Sequence, residues 1–422
     1  MKIANLLFFL SLIFVSSDCQ EPGDAETVVE NRQSQLLGGD EAKNQVAQDD
    51  LTDPPFPPAT PQSQGVSPEV IQRLAELVEG FVEAEEIVGA ELLVIKNQRT
   101  VMHEAFGYDA PNREQELAKN TIFSIRSMTK PLAGAAAQML IDEGGLNLTD
   151  PVAKYLASFD NERSRSINIE HLLTHRSGLP MKSAGRLWSD YSSYQNIRQV
   201  ADYWGEYGPQ LFTPGERYHY ADANVDTLAA VIEQVAGEPA EAVIERRLFD
   251  SLGMSDSITL LSKDDVRVTR VAGKNAGGRG RWRQFWSWQG HPYFSFPMFA
   301  QGFYSTPIDY ALFMQMIMDG GMAHGKRVLS ETAITRMLKP TSKTTMPTGF
   351  AGLAASYGQL MQIYEKDGKV VVFGHSGSDG TYAWAWPEQE LMVLYFTQSR
   401  GSITMSRMEA VLDSLLARPI EN

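Results

Sequence analysis

The sequence predicts an α+β fold, in which one antiparallel sheet is flanked by N- and C-terminal helices and a mostly helical region is inserted between its strands. Three observations indicate this fold. A helix pattern and two strand patterns open the folded part, the middle is helical in pattern, and further strands and an amphipathic helix close it. A ligand cleft is then expected where the sheet meets the inserted helices.

The first elements of the folded part are a helix and a hairpin. In "SPEVIQRLAELVEGFV", Ser67 is a favoured N-cap, Pro68 suits the first helical position, and apolar residues recur at helical spacing. Two strand-like runs follow, "GAELLVIK" and "RTVMHEAFG", and the turn residues Asn97 and Gln98 join them.

The middle and the end of the chain carry different patterns. From Ser127 to about Gly253 the pattern is mostly helical, as in "PLAGAAAQMLIDEG", "IEHLLTHR" and "DTLAAVIEQVAG". Strands are predicted for "KVVVFGHSG", "TYAWAWP" and "LMVLYFTQ", and "MSRMEAVLDSLLAR" is predicted to be an amphipathic helix. The closing strands can therefore share one sheet with the opening pair.

The N-terminal part of the chain differs from the rest. Residues 1–18 combine a basic start with an apolar stretch too short to span a membrane, so they are predicted to be a signal peptide for export to the periplasm or the medium. A lipid anchor on Cys19 stays open as the alternative, although Asp18 is not the small residue that lipoprotein processing prefers. Residues 19–65 are predicted to be an acidic, proline-rich, disordered linker, which places the folded domain at 66–422.

The composition excludes several classes of partner and of structural cross-link. The net charge of -15 argues against nucleic acid, because it cannot neutralise phosphates, and against anionic lipid headgroups. A single cysteine excludes an internal disulfide and a cysteine-based metal cluster. No transmembrane span and no cofactor is expected.

The first candidate catalytic pair is in "SIRSMTK", where Ser127 and Lys130 are three positions apart. Residues at that spacing share one face of a helix, so the amine can reach the hydroxyl. A serine becomes a nucleophile when a base takes its proton, and a lysine can be that base if desolvation lowers its pKa. The small residues from Ala133 to Ala137 allow such tight packing. The alternative is a serine cap beside a solvated lysine.

Two further segments carry candidate residues. Tyr220, in "PGERYHYADANVDTLAAVIE", precedes a predicted helix and can present its phenol to a cleft as a proton shuttle, or it is a tyrosine packed at a domain edge. His375, Ser376 and Gly377 follow a strand-like run in "VVVFGHSGSDGTYAWAWP", where an edge strand can donate an N–H to an oxyanion. The alternative is a tight connection between strands, with His375 on the surface.

The segments with Ser127, Tyr220 and His375 follow one another in the order of a known family, and each lies in a longer stretch similar to that family. The chain resembles the serine β-lactamase and penicillin-binding-protein-like family, in its class C and esterase-like branch. The resemblance covers roughly residues 70–417 and implies a β-lactamase/transpeptidase-like fold. The blocks that carry it are "TIFSIRSMTKPLAGAAAQMLIDEGGLNLTDPVAKYL", "IEHLLTHRSGLP", "PGERYHYADANVDTLAAVIEQVAGEP", "RLFDSLGMSDS" and "QGFYSTPIDYALFMQMIMDGG".

The resemblance also implies roles for individual residues. Ser127 would be the acylated nucleophile, Lys130 its general base and Tyr220 the proton shuttle of the second motif. The oxyanion hole would be formed by the backbone N–H groups of Ser127 and Ser378. The substrate-binding positions implied are Asp222, His375, Ser376 and Gly377.

Two positions depart from the family pattern. Asp222 stands where the second motif usually has Asn, and a carboxylate near Lys130 favours the ammonium, which is the wrong form for a base. Either Asp222 points away, or Tyr220 carries more of the proton transfer. His375 stands where true β-lactamases and transpeptidases usually have a lysine, and it is mostly neutral at pH 7. This weakens the case for penicillins and favours esterase-like members.

Two other segments have alternative interpretations. The stretch 273–297, "GKNAGGRGRWRQFWSWQGHPYFSFP", is either a loop over the cleft that binds an apolar acyl or aromatic group, or a packed surface loop. His171 and His175 have metal-ligand spacing on a predicted helix, but the HExxH glutamate is missing. The sequence is therefore interpreted without a metal site.

The expected function is an exported serine hydrolase that forms an acyl-enzyme on Ser127, with small carboxylic esters or amides as substrates. The alternatives are a true β-lactamase or D-amino-acid peptidase, and a non-catalytic binding module in which Asp222 has disabled the base.

Overall fold

The computed structural model describes residues 54–181, 194–208, 210–344 and 349–415. The predicted signal peptide, Cys19 and the linker as far as residue 53 lie outside these ranges. A compact unit begins at Pro55, so the predicted domain start at residue 66 is too late. Phe56 is buried in the main core, and the N–H of Ala59 donates to the Thr100 carbonyl at 2.9 Å. This apolar anchor orders the last proline-rich part of the predicted linker.

One antiparallel sheet of eight strands organises the domain, in the order β2-β1-β14-β13-β12-β11-β10-β9. Its strands are β1 (Gly89–Lys96), β2 (Arg99–Gly107), β9 (Ser342–Lys343), β10 (Ala354–Tyr357), β11 (Gln362–Lys366), β12 (Lys369–Ser376), β13 (Tyr382–Trp386) and β14 (Leu391–Thr397). Shorter strands pair outside it: β3 (Phe123–Ser124), β4 (Lys274–Ala276), β5 (Arg283–Trp286), β6 (Tyr304–Ser305), β7 (Met322–Ala323), β8 (Lys326–Arg327) and β15 (Ser399–Arg400).

The opening and closing strands share this sheet, as the sequence predicts. The β1 strand pairs with β14 on one side and with β2 on the other, both antiparallel. Asn97 and Gln98 close the β1–β2 hairpin with φ of 50° and 57°. Positive φ at both central residues matches the twist of the flanking strands.

The helices lie on both faces of the sheet and in the insert between its strands. They are α1 (Pro68–Glu83), α2 (Thr129–Asp142), α3 (Ile169–Leu173), α4 (Ile197–Tyr207), α5 (Asp222–Ala236), α6 (Ala240–Ile244), α7 (Asp250–Leu252), α8 (Pro307–Met318), α9 (Glu331–Leu338) and α10 (Thr404–Leu415). Ser67 precedes α1 and Pro68 is its first residue, as predicted. Within the described ranges, no helix has the length and apolarity needed to cross a membrane.

The central strands are buried on both faces because their apolar side chains alternate between two cores. In β1, Leu92 and Val94 pack in the core that includes residues of α1 and α10, whereas Leu93 and Ile95 pack in the core shared with α2, α5 and α8. The α+β prediction with an inserted helical region is confirmed. The cleft considered below lies at one end of β12, beside the start of α2.

Candidate active site

Ser127 lies at the junction between a short strand and a buried helix. A 3-10 turn, Arg126–Met128, follows β3 and leads directly into α2. The sequence predicts that Ser127 lies on the helix itself. In the structure Ser127 precedes Thr129, the first α-helical residue, by two positions. Pro131 fits because it lies in the first turn of α2, where its missing N–H leaves no helical bond unmade. This turn is called the nucleophile turn below.

Lys130 reaches back to Ser127 from the first turn of α2. Its side chain is 0% exposed, and its Nζ lies 3.2 Å from Ser127 Oγ, 2.8 Å from Asp222 Oδ1 and 2.6 Å from the Ala300 carbonyl oxygen. An ammonium has three N–H donors, and these three oxygens can accept all of them. The geometry therefore fits the charged form of Lys130.

The electrostatics lead to the same protonation state. Burial lowers the pKa of Lys130, but the Asp222 carboxylate and the Tyr220 phenol together more than offset this, so the net effect is a raised pKa. Of the two arrangements that the sequence leaves open for Asp222, the one in which it points away is wrong. Asp222 is paired with Lys130 and is not among the residues that line the cavity, so its expected substrate-binding role is not supported.

Tyr220 stands on the loop before α5, as predicted, and lines the cavity. Its phenol is hydrogen-bonded to both Ser127 and Lys130. The His175 ring packs against it with 4.6 Å between centroids, and His175 Nδ1 lies 2.9 Å from Asn224 Nδ2. Burial raises the pKa of Tyr220, although Lys130 opposes this, so the phenol keeps its proton at neutral pH. The tyrosine is therefore placed to relay a proton between the serine and the lysine.

His375 is buried and neutral. It lies on β12 between β11 and β13, so the prediction of an edge strand is wrong. Its Nδ1–H donates to the Ser376 carbonyl at 2.8 Å, and its Nε2 accepts from Tyr357 Oη at 3.1 Å. Burial, helped by the nearby Lys130 ammonium, lowers the pKa of His375 to about 3. No charge is therefore present at this position at neutral pH.

A cavity of about 490 Å³ brings most of these residues together. The residues that line it are Ser127, Met181, Tyr220, Gln362, His375, Ser376, Gly377, Ser378, Gly380, Gly401, Ser402 and Met405. Ser127 and Ser378, the two predicted oxyanion-hole positions, thus face one space. No lysine or arginine is among these lining residues of the described part of the chain.

Gly377 allows the two sides of the site to approach closely. A Cβ at this residue would lie 2.6 Å from the Ile125 carbonyl oxygen and 3.2 Å from Arg126 Cβ. A side chain there would push the turn after β12 away from the nucleophile turn. Glycine at this position therefore allows the close packing of these two segments.

The stretch 273–297 and the pair His171 and His175 pack within the fold and do not form a substrate or metal site among the described residues. No residue of 273–297 lines the cavity, and Tyr293 of this stretch packs instead against Arg126. His171 Nδ1 accepts from the Asn168 N–H in a capping box at the start of α3, while His175 packs against Tyr220. Among the described residues, no group of three or more His, Cys, Asp or Glu side chains is arranged to hold a metal ion.

Sequence reasoning missed several residues that shape the site. The Ala300 carbonyl and Tyr357 act from segments without a motif, so no pattern could have indicated them. The spacing of His171 and His175 does not predict that His175 packs against Tyr220. Arg126 and Asp379 flank the motif residues Ser127 and Ser378, and their adjacency to these residues was the available signal.

Comparisons with known proteins identify the family of the chain. The sequence profile of the family described as Beta-lactamase matches residues 74–418. Protein Rv1367c of Mycobacterium tuberculosis (strain ATCC 25618 / H37Rv) is 27% identical over 361 residues, which span 76% of this chain and 88% of that protein. Esterase EstB of Burkholderia gladioli is 28% identical over 202 residues, 44% of this chain and 50% of that protein.

The fold has solved relatives. The structure of EstCE1, a hydrolase with promiscuous acyltransferase activity, aligns with a TM-score of 0.69 at 18% identity, covering 83% of this chain and 98% of that chain. The octameric penicillin-binding protein homologue from Pyrococcus abyssi aligns with a TM-score of 0.68 at 23% identity, covering 82% and 77%. At these low identities, the TM-scores show a shared fold alone.

Proposed function

The chain belongs to the Beta-lactamase family of serine hydrolases, and from that premise we propose that it hydrolyses small, uncharged carboxylic esters or amides through an acyl-enzyme on Ser127. The observation that carries the proposal is the Ser127 Oγ to Lys130 Nζ distance of 3.2 Å beside a cavity that Ser127, Tyr220 and Ser378 share. The nucleophile, its proton relay and the second oxyanion donor are then in reach of one carbonyl group.

The proton of Ser127 needs an acceptor, and the Lys130 ammonium cannot be one. Asp222 is the anion of the group, 2.8 Å from Lys130 Nζ. Lys130 first passes one of its protons to Asp222 Oδ1, and the neutral amine then accepts the serine proton as Ser127 Oγ attacks the carbonyl carbon. Lys130 ends the step as a cation beside the new oxyanion, while the backbone N–H groups of Ser127 and Ser378 bind that oxygen.

The same groups complete the turnover. The proton held on Asp222 returns through Lys130 and Tyr220 to the leaving alkoxide or amine, and the acyl group remains on Ser127. Water then attacks the acyl carbon, its proton passes to Asp222 by the same route, and it finally returns to Ser127 Oγ as the acid leaves. Every proton taken up is released, so the cycle balances.

The lining of the cavity supports esters over β-lactams and peptide stems. A carboxylate on the substrate needs a cation, but His375 is neutral because burial lowers its pKa to about 3. Met181 and Met405 line the cavity and offer apolar contact to an acyl group. EstB of Burkholderia gladioli is described as an esterase, which agrees with this choice. A true β-lactamase or D-amino-acid peptidase is the alternative.

The decisive experiment removes the nucleophile. Ser127→Ala should abolish hydrolysis of p-nitrophenyl acetate and butyrate, while Ser124→Ala, which changes a buried serine three positions earlier, should retain it. Unchanged turnover in Ser127→Ala would refute the assignment. Turnover of nitrocefin or of a D-Ala-D-Ala peptide above that of the esters would transfer the proposal to the alternative substrates.

A non-catalytic binding module is the second candidate, because the Asp222 pair fixes Lys130 in the form that cannot act as a simple base. A fluorophosphonate probe distinguishes the two. Labelling of the folded wild type, lost in Ser127→Ala, supports the hydrolase. An unlabelled wild type would favour the binding module.

The proposed function includes export, because residues 1–18 have the pattern of a signal peptide. The full chain should appear in the periplasm or the medium with residues 1–18 removed. Intact-mass measurement of the purified protein tests this, and a mass increase on the terminal Cys19 would instead show lipid attachment.

A further inference from the structure

A second buried charge cluster lies behind the nucleophile turn. Arg126 Nε donates to Asp379 Oδ2 at 2.6 Å, and Lys274 Nζ lies 2.8 Å from the same oxygen. The side chains of all three residues are 1% exposed. None of the three lines the cavity, so they do not touch the substrate.

An aromatic ring from the 273–297 stretch closes this cluster. The Tyr293 ring centroid is 5.0 Å from Arg126 Cζ and 5.1 Å from Lys274 Nζ. Burial raises the pKa of Asp379, but the two cations more than offset this and lower it to about 2. The carboxylate is therefore ionised, and its attraction to Arg126 is strong because water is excluded.

The two charged partners flank the two expected oxyanion donors. Arg126 immediately precedes Ser127, and Asp379 immediately follows Ser378. The backbone of Arg126 has φ of 48°, a strained value for a residue with a side chain. Such strain persists where the surroundings over-determine it, and it concentrates at functional sites. The ion pair and the ring supply that constraint here.

We propose that Arg126 and Asp379, with Lys274 beside them, form a clamp that fixes the separation and direction of the Ser127 and Ser378 backbone N–H groups. These are positioning residues, and the inference rests on the proposed function. The nucleophile turn belongs to the helical insert, while Ser378 belongs to the turn after β12. The clamp therefore joins two parts of the fold at the atoms that must bind one oxygen.

The expected effect follows from the geometry of oxyanion binding. Removing an oxyanion donor lowers kcat by roughly 100- to 1,000-fold, and a shift of about 1 Å in a positioned group can cost about 100-fold. Loss of the clamp displaces a donor without deleting it. We therefore expect kcat to fall by roughly 10- to 100-fold, with a much smaller change in KM.

Asp379→Asn is the first test, since it keeps the side-chain shape and removes the anion. The kcat of this variant for p-nitrophenyl butyrate should fall by roughly 10- to 100-fold, and its affinity for phenylboronic acid should fall by a similar factor. The boronate bonds to Ser127 Oγ and places an oxygen at the oxyanion site, so a merely structural role would not change its affinity. Asp309→Asn is the matched control, because Asp309 is also a buried acid but contacts Ser257 instead.

Asp379→Asn leaves Arg126 buried without its anion, so a second variant covers a failure to fold. The triple variant Arg126→Met, Lys274→Met, Asp379→Leu removes all three charges, and such replacements are often tolerated. A folded variant of either kind with wild-type kcat and boronate affinity would overturn the clamp. Failure of both to show a cooperative unfolding transition would also overturn it, in favour of a purely structural role.

The outcome for the clamp can be separated from that for the proposed function. If the wild type hydrolyses no ester, the proposed function fails. The fluorophosphonate labelling rate of Ser127 in Asp379→Asn relative to wild type still tests the clamp, because the phosphoryl oxygen uses the same two N–H groups. An equal rate would overturn the clamp, and a rate reduced 10-fold or more would support it.

Discussion

Lys130 and Lys274 are both fully buried near Ser127, yet their pKa values move in opposite directions. Burial lowers the pKa of each, but at Lys130 the Asp222 carboxylate and the Tyr220 phenol more than offset it. Lys274 shares its carboxylate, Asp379, with Arg126, so burial dominates and lowers its pKa to about 7. The local balance of cations and anions, and not burial alone, therefore decides whether a lysine is charged.

Lys130 and Lys274 also differ in how close they lie to the cavity and to solvent. Lys130 is paired with a carboxylate that is 16% exposed and is hydrogen-bonded to the cavity residues Ser127 and Tyr220. Lys274 is covered by the Tyr293 ring and pairs with a carboxylate that is 1% exposed. The first lysine can exchange protons with a substrate, whereas the second does not line the cavity and cannot take part in that exchange. The predictions below test this comparison.

The largest effect is expected for Lys130→Met, which removes the relay between Ser127 and Asp222. Proton transfer by a positioned group contributes roughly 100- to 10,000-fold, so kcat/KM for p-nitrophenyl butyrate should fall by about that factor. Lys154→Met is the matched control, since it removes an exposed lysine that also pairs with an aspartate. Retention of more than a tenth of the activity in Lys130→Met would contradict the relay.

Asp222→Asn should make Lys130 resemble Lys274. Without the carboxylate, burial is expected to lower the pKa of Lys130, and the neutral amine then becomes available as pH rises. We expect activity to fall about 100-fold at pH 7, because the proton acceptor is gone. It should then recover towards pH 9 to 10, where Lys130 can act as the base itself.

Measurement of kcat/KM from pH 5 to 10 tests this shift in Asp222→Asn. Wild type should lack the alkaline recovery, since its Lys130 stays charged. Equal pH profiles for the two proteins would show that Asp222 does not control the protonation of Lys130. Asp309→Asn again reports the effect of losing a buried acid elsewhere.

The contrast between the two lysines also shows what the sequence can and cannot predict. Ser127 and Lys130 are three positions apart, so their meeting could be predicted from spacing, whereas the place of Tyr220 beside them is implied by the family resemblance. The conflict between Asp222 and Lys130 was visible as chemistry, but its resolution needed the 2.8 Å contact. The sequence alone could not show which of the two arrangements holds.

The second cluster could not have been predicted in the same way. Arg126, Lys274 and Asp379 are separated by more than a hundred residues along the chain, and no motif includes Lys274. They meet because β4 pairs with β15, which follows β14, while Asp379 lies in the connection from β12 to β13. Strand order was predicted only in outline, so contacts that depend on it were out of reach. The aromatic stretch was ambiguous for the same reason.

His375 provides a smaller test of the same electrostatics. Its folded pKa is about 3, below the usual value of about 6.5. Between these values the unfolded chain binds a proton that the folded chain does not, so this contribution to stability is lost as pH falls below about 6.5. The difference in unfolding free energy between wild type and His375→Gln should change by about 2 kcal/mol from pH 7 to pH 5. Urea unfolding at both pH values measures it, and a constant difference would contradict a neutral, buried His375.

The smallest effect is expected for Lys274→Met, and only stability is measured. The folded pKa of Lys274 is about 7, below the usual value of about 10.4, so the unfolded chain binds more protons between these values. The stability of the wild type should therefore gain a contribution of about 1 kcal/mol between pH 7 and 8, which Lys274→Met lacks. Parallel stability curves for the two proteins over this range would show that Lys274 stays charged like Lys130. The comparison between the two lysines would then fail, because two cations beside one buried carboxylate would behave no differently from one.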